Sequence, residues 1–589
     1  MLQPMLQHPS CTKGYTRDLD KAVSPEQTVR HIRSVLARTG HHLLERTRRV
    51  DTGRLGIPVY MSICGSKARE IMPTRKQMGK GASAAQAEAS ALMEFIERYS
   101  LFSFLARTGE RGKGAQLTWS QAEDRFGPSL IPVQEILGSV QEERPSSEAV
   151  QIMDLVPWDF CPASDLHTGQ EVVLPLNWFQ TINEFNGSSA GNTDVESALQ
   201  GLCELIERHV CAEINAQCPE LPSIDPKTMT DPVLKDLLAA FDRNGIVVWL
   251  KDFSLGLDVP TVGVLAYDPA TFPHSSEIVF TAGTATSPEK AAIRALTEVA
   301  QLGGDFESGS RYEPSGLPKP KTLDQCAWLR RGRAVPITAL PDISHPDMGV
   351  ELSRVAKVLA QHKYPVYIVR TTDPDLQIPA HYSIVPGFGF RERSTHASLG
   401  LFVGRILAEQ QPEDLAEHGL RVLQDLYPQG HFLPFFQGIL ALRQERFSQA
   451  LDAFSRAEDI QPTAQDKAFA AFYQAFCLSR EAQWDRIKPH LDRAIQGAPD
   501  VHAFYNLRGV GAFKTGRYEQ AAEDFRSALE LDPGSAMDLV NLGLCLKRAG
   551  QIHEALSCLQ AGLELDPGME TARAELEELL AGKQDREPG

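Results

Sequence analysis

Apolar positions recur every three to four residues from about 83 to 106, the spacing of an amphipathic helix, yet acids interrupt them: Ser90-Ala-Leu-Met-Glu94-Phe-Ile-Glu97-Arg98. The interruption returns at Gly201-Leu-Cys-Glu204-Leu-Ile-Glu207-Arg208, inside a second helical run from about 195 to 217. Both stretches read Glu-x-x-Glu-Arg. Residues three and four apart share a helix face, so Ser90, Glu94, Glu97 and Arg98 line one side, as do Glu204, Glu207 and Arg208. A third helix, 289–302, carries Arg294, Glu298 and Gln301 at similar spacing, and Ser287-Pro288 supplies its cap and first turn. Glutamates set among Leu92, Met93, Phe95 and Ile96 do not belong on a fully solvated face. Charges in such company are paired or hold a metal. Ordinary Glu–Arg pairing would explain one such helix. Recurrence on three is harder to explain that way.

The same pattern places the other elements. Ser24-Pro25-Glu26-Gln27 starts a helix that runs to about 37 and stops at Gly40. Strands are predicted at 57–63, 172–176, 246–250, 259–265, 278–281 and 366–369. Gly79-Lys80-Gly81 precedes the first acidic helix, where a phosphate could meet free backbone N–H groups. A plain glycine turn with a solvated lysine reads equally well, and the stretch is not a Walker A loop. Asn186-Gly-Ser-Ser-Ala-Gly191-Asn192 reads as a tight loop before the second acidic helix, open to close approach of a ligand. Thus a loop followed by an acidic helix occurs twice, with Glu94 and Glu204 110 residues apart. Residues 107–165 show only turn signals and short mixed segments. Strands and helices mix without clean alternation, which predicts an α+β domain rather than a doubly wound sheet.

Beyond Arg405 the chain is helical and a period of 34 residues appears. Trp484, Tyr518 and Ile552 keep that spacing, as do Pro499, Pro533 and Pro567. Leu529-x-Leu531-Asp-Pro533 returns as Leu563-x-Leu565-Asp-Pro567. The unit resembles the tetratricopeptide repeat, with two clear copies and two degenerate ones. Stacked hairpins of this kind form an all-α solenoid with a concave binding surface. The predicted organisation is a loose segment at 1–20, a catalytic domain at 21–405, a helical connector at 406–431 and repeats at 432–589.

Composition narrows the function classes. A net charge of −17 argues against a general nucleic-acid binder, which needs clustered Lys and Arg. Ten scattered cysteines without a Cys-x-x-Cys pair suit reduced thiols in a cytoplasmic protein. No apolar run is long enough to span a membrane, and no apolar signal core opens the chain. What remains is a chemistry that needs many carboxylates on converging helices. Carboxylates hold Mg²⁺, a hard cation that bridges to nucleotide phosphates, while Arg forks across the remaining oxygens.

Three motifs in order, Ser90-x-x-x-Glu94-x-x-Glu97-Arg98, Asn186-Gly187…Gly191-Asn192 with Glu204-x-x-Glu207-Arg208, and Ser287-Pro288…Arg294-x-x-x-Glu298-x-x-Gln301, resemble the YcaO family from about residue 20 to 405. The resemblance implies an ATP- and Mg²⁺-dependent enzyme that activates a peptide backbone amide. A neighbouring Cys, Ser or Thr then gives an azoline ring, and external sulfide gives a thioamide. It further implies that Glu94, Glu97, Glu204, Glu207 and Glu298 share the Mg²⁺ ions. Ser90, Arg208 and Arg294 would contact ATP, with Gln301 and Lys80 beside them. Azoline-forming members commonly end in a Pro-rich tail, whereas this sequence runs into repeats and ends Asp-Arg-Glu-Pro-Gly. It is also similar to a stand-alone bacterial branch named for an accessory role in ribosomal-protein methylthiolation. The expected partners are a peptide or protein substrate and a sulfur-delivering or accessory protein on the repeats. Self-association, such as a homodimer, stays open. Two other readings remain: a scaffold whose nucleotide site is regulatory or inactive, and an ATP-using ligase of another fold.

Overall fold

The computed structural model describes residues 10–112, 116–309, 311–314, 316–391 and 396–584. It divides into two compact units, Met1–Ala397 and Ser398–Gly589. Among the described residues no helix is long and apolar enough to cross a membrane.

The first unit is α+β. Its strands in chain order are β1 (Leu44–Arg49), β2 (Val59–Cys64), β3 (Lys76–Lys80), β4 (Phe160–Asp165), β5 (Glu171–Pro175), β6 (Ser188–Ala190) and β7 (Ser223–Asp225). They continue as β8 (Val247–Asp252), β9 (Thr261–Tyr267), β10 (Val279–Thr284), β11 (Ala334–Pro336), β12 (Tyr367–Arg370) and β13 (Ala380–Ile384). They form three sheets, ordered β1-β2-β3, β10-β9-β8-β7-β11 and β5-β4-β12-β13-β6. Every recorded pairing is antiparallel except β11 with β7. Antiparallel sheets leave helices on selected faces, and three long helices take those places.

The first acidic helix, Ala84–Gly112, packs on β3 and β2; the second, Asp194–Gln217, on β13, β6 and β10; the third, Pro288–Gly303, on β10 and β9. Their starts are local: Thr193 and Ser287 cap the second and third through Glu196 and Lys290 backbone N–H groups. Glycine sets how close strand and helix come. A Cβ on Gly79 of β3 would lie 2.0 Å from the Ala91 backbone nitrogen, and one on Gly283 of β10 2.4 Å from the Ala291 carbonyl oxygen. Those approaches seat the helices tightly enough for their polar faces to meet.

Three expectations need correction. Gly79 and Lys80 lie in β3, not in a loop ahead of a helix N-terminus. The stretch 186–192 is not an open loop, because Ser188–Ala190 form the buried strand β6 against β13. Of the segment expected to be loose, residues 1–9 lie outside the described residues, but 10–20 are pinned. Lys13 reaches the fully buried Glu351 at 2.6 Å and Asp20 at 2.7 Å, and the Cys11 backbone N–H donates to Asp347.

The second unit begins with helices Leu399–Gln410 and Glu413–Leu426. Helix pairs follow at Leu433–Arg443 with Phe447–Ile460, and Ala464–Arg480 with Lys488–Gly497. Two further pairs are His502–Lys514 with Tyr518–Leu531, and Ala536–Arg548 with Ile552–Leu565; Glu570–Gln584 ends the array. Small residues at the pair contacts, Ala521, Ala522 and Ala555, are fully buried, as the 34-residue pattern requires. The terminal Asp-Arg-Glu-Pro-Gly lies outside the described residues.

Candidate nucleotide and metal site

On the first acidic helix Leu92, Phe95 and Ile96 are sealed in a core, which turns Ser90, Glu94, Glu97 and Arg98 the other way. The second helix buries Leu202, Leu205 and Ile206 and turns out Glu204, Glu207 and Arg208. The third buries Ala291, Ala295, Leu296 and Val299 and presents Arg294, Glu298 and Gln301. These ten residues and Lys80 line one cavity of about 350 Å³.

Its contacts are few and directed. Ser188 Oγ donates to Glu97 at 2.9 Å, and the Thr284 backbone N–H donates to Glu207 at 3.1 Å. Arg98 lies 3.4 Å from Glu97, and Arg208 3.9 Å from Glu204. Lys80 pairs with Glu298 across the junction of β3 and the third helix. Arg294 donates to Gln200 at 3.0 Å.

Burial outweighs these cations at the carboxylates. Burial pushes Glu94 up to about 7; Glu204 and Glu298 add to the rise, while Arg98 and Lys80 oppose it. Glu97 and Glu207 rise for the same first reason, reinforced by neighbouring carboxylates. Burial would lower Arg208, but Glu204, Glu207 and Glu298 outweigh it and hold the guanidinium charged. Among the described residues, Arg98 Nη1, Arg208 Nε and Arg294 Nε are buried without a hydrogen-bond partner. An unmet buried donor is costly, about 1–3 kcal/mol or more for a charged group, so these N–H groups lack acceptors that something else must bring.

Several lining residues escaped the sequence reading. Lys21, Thr28, Gln86, Glu196 and Gln200 face the same cavity, as does Asn192, which the second motif includes without a role. Glu196 accepts from the Ala22 backbone N–H at 2.9 Å and from Asn192 Nδ2 at 3.0 Å, and Thr28 donates to Asn192 at 2.9 Å. The signal was present: Glu196, Gln200, Glu204 and Arg208 follow one another at four-residue spacing along one helix face.

Residues 78–389 match the family described as YcaO cyclodehydratase, ATP- and Mg²⁺-binding. The chain belongs to the YcaO family. Tetratricopeptide repeats match at 502–535 and 539–569. An uncharacterised protein of Methanothermobacter thermautotrophicus is 26% identical over 391 residues, 62% of this chain and 94% of its own. The ribosomal protein S12 methylthiotransferase accessory factor YcaO of Escherichia coli is 31% identical over 212 residues, 33% of this chain. The match spans only 35% of that relative. A solved heterocyclase in complex with substrate and cofactor shares the fold at 19% identity and a TM-score of 0.51, covering 66% of this chain and 54% of its own.

ATP and Mg²⁺ are the cofactors of the YcaO family, and the cavity fits both. Burial holds carboxylates such as Glu94 short of full ionisation, and three arginine N–H groups have no acceptor among the described residues. Among the described residues no three acidic, His or Cys side chains are gathered tightly enough to cage a metal alone. Mg²⁺ is ordinarily held by one or two carboxylates together with waters and phosphate oxygens.

Proposed function

We propose that this chain uses ATP and Mg²⁺ to activate a backbone amide of a peptide or protein, for thioamide or azoline formation or in an accessory role in protein modification. The observation that carries the reading is the convergence of five glutamates and three arginines with unmet donors on one cavity. Glu94, Glu97, Glu204, Glu207 and Glu298 would hold Mg²⁺; Ser90, Lys80, Arg208, Arg294 and Gln301 would bind ATP. Bound Mg²⁺-ATP supplies the phosphoryl group that turns the amide oxygen into a phosphate leaving group once a nucleophile has added to the carbonyl carbon. Ser188 and the Thr284 backbone N–H would hold Glu97 and Glu207 at fixed angles, so the metal-binding oxygens need no reorganisation on loading. Arg98 and Arg208 keep opposite charge beside those acids and would meet phosphate oxygens.

Two features support a protein substrate or partner. Membership of the YcaO family implies a peptide substrate, and stacked repeats are a common protein-binding surface. The test is comparative mass spectrometry of peptides and proteins from cells with and without the gene, alongside ATP turnover by purified protein. Oxygen exchanged for sulfur, or water lost, at a backbone amide is the expected difference. ATP turnover unaffected by Glu207→Gln would overturn the site assignment.

A further inference from the structure

Phe185 is out of place on ordinary hydrophobic grounds. It is 39% exposed, one of few large apolar side chains left open in the first unit. Nothing about its turn is loose. The short helix Leu176–Asn183 ends at Glu184, whose φ of +52° is strained for a residue with a side chain. The turn is nevertheless tied on every side. Tyr382, itself fully buried, donates its hydroxyl to the Glu184 carbonyl at 3.1 Å. The Asn186 backbone and side-chain N–H groups both donate to the Asn183 carbonyl. The Ser188 backbone N–H donates to the Phe185 carbonyl, and the Ser188 hydroxyl to Glu97. The fold therefore spends strain and five hydrogen bonds to hold an aromatic ring in the open.

What the ring stands on fixes its address. The Arg98 guanidinium carbon lies 5.3 Å from the Phe185 centroid, a cation–π distance. Phe102, one helical turn beyond Arg98, meets the same ring edge-on at 5.4 Å. Arg98 belongs to the carboxylate end of the cavity, beside Glu97 and Glu204. Metal-bridged phosphates would sit there, and an acceptor must reach the terminal phosphate at that end. A nucleoside base would lie a polyphosphate chain away from the carboxylates that would hold the metal, so it is a poor occupant for this ring.

We infer that Phe185, buttressed by Phe102 and Arg98, is a peptide-positioning shelf. It takes a large apolar or aromatic side chain of the substrate and so aligns the neighbouring backbone amide with the phosphate end of the cavity. The inference rests on the amide-activation reading above and adds a side-chain preference that the reading does not contain. An exposed aromatic face suits such a side chain because it buries apolar area and stacks at little entropic cost.

The probe is N-acetyl-4-fluoro-L-phenylalaninamide, which carries one backbone amide on each side of an aromatic residue. Its fluorine line broadening is titrated against the full chain loaded with Mg²⁺ and a non-hydrolysable ATP analogue. N-acetyl-3-fluoroalaninamide serves as the small-side-chain control. The expected result is tighter binding of the aromatic probe than of the control. Phe185→Ala should weaken the aromatic probe at least fivefold, Phe185→Tyr should restore it, and neither should change the control. Calorimetry of the ATP analogue on each variant runs in parallel. No discrimination between the probes by the unmutated chain, or discrimination unchanged in Phe185→Ala, overturns the shelf while leaving amide activation standing. Loss of the ATP analogue with the probe unaffected assigns Phe185 to the nucleotide and also overturns it. Failure of the unmutated chain to bind the analogue at all removes both readings together.

Discussion

Glu94 holds its proton close to neutral pH because burial disfavours its charge more than Arg98 and Lys80 favour it. A dication reverses that balance, so metal loading must expel protons. Mg²⁺-ATP should therefore bind more tightly as pH rises from about 6 to 8, with proton release that calorimetry in buffers of different ionisation enthalpy reads directly. The metal-free protein should behave oppositely. A carboxyl whose native pKa is raised binds protons better folded than unfolded, so its stabilising contribution is full below about 4.5 and fades as pH climbs through about 7. Melting temperature across that window checks the sign. Glu94→Gln and Glu207→Gln keep the shape but remove the charge a metal needs. ATP turnover should fall at least about a hundredfold in each, given that Mg²⁺ supplies several kcal/mol of transition-state stabilisation, while the melting temperature holds or rises. Steady-state ATPase assays with thermal melts decide it.

At the scale of elements, the tight seats of the acidic helices matter more than helix propensity. Gly79→Ala and Gly283→Ala insert a methyl where backbone already lies within 2.0 and 2.4 Å. Each should destabilise the chain by about 1–3 kcal/mol or more through overpacking, seen as an earlier urea midpoint, and weaken ATP binding by spreading the polar faces. The helices themselves were legible in the sequence. Pro25–Arg38, Asp194–Gln217 and Pro288–Gly303 lie within a residue or two of the expected bounds, since their caps are local. Strand β6 was not legible, because Gly- and Asn-rich composition imitates a loop and its partner β13 lies nearly two hundred residues later. The helices Trp119–Phe126, Val133–Ser139 and Ser146–Met153 are too short for periodicity to show. The glycines beside Lys80 serve strand–helix packing rather than a phosphate-binding loop. Glu196 shows the converse: it shares the four-residue spacing of Gln200, Glu204 and Arg208 on one helix face, outside the Glu-x-x-Glu-Arg motif.

For the whole molecule, the division at Ala397 and Ser398 carries a direct expectation. All ten candidate site residues precede it, so residues 1–397 should fold alone and bind Mg²⁺-ATP, which calorimetry on the truncated chain measures. Deleting 432–589 should spare basal ATP hydrolysis and abolish modification of the cellular substrate. Normal product from that deletion, with only the assembly state altered, would assign the repeats to self-association.

Lys80 leaves a thermodynamic consequence behind. Its ammonium already neutralises Glu298, so the protein carries its own counter-ion and Mg²⁺ alone must compete with a tethered cation. A phosphate gives the displaced ammonium a new partner, which makes metal and nucleotide mutually dependent guests. Calorimetry should find weak Mg²⁺ binding without nucleotide, stronger in Lys80→Met, with the nucleotide's enhancement of metal affinity diminished in that variant. The lysine would then act as a lock on the proposed metal site, one that free Mg²⁺ cannot turn and a polyphosphate can.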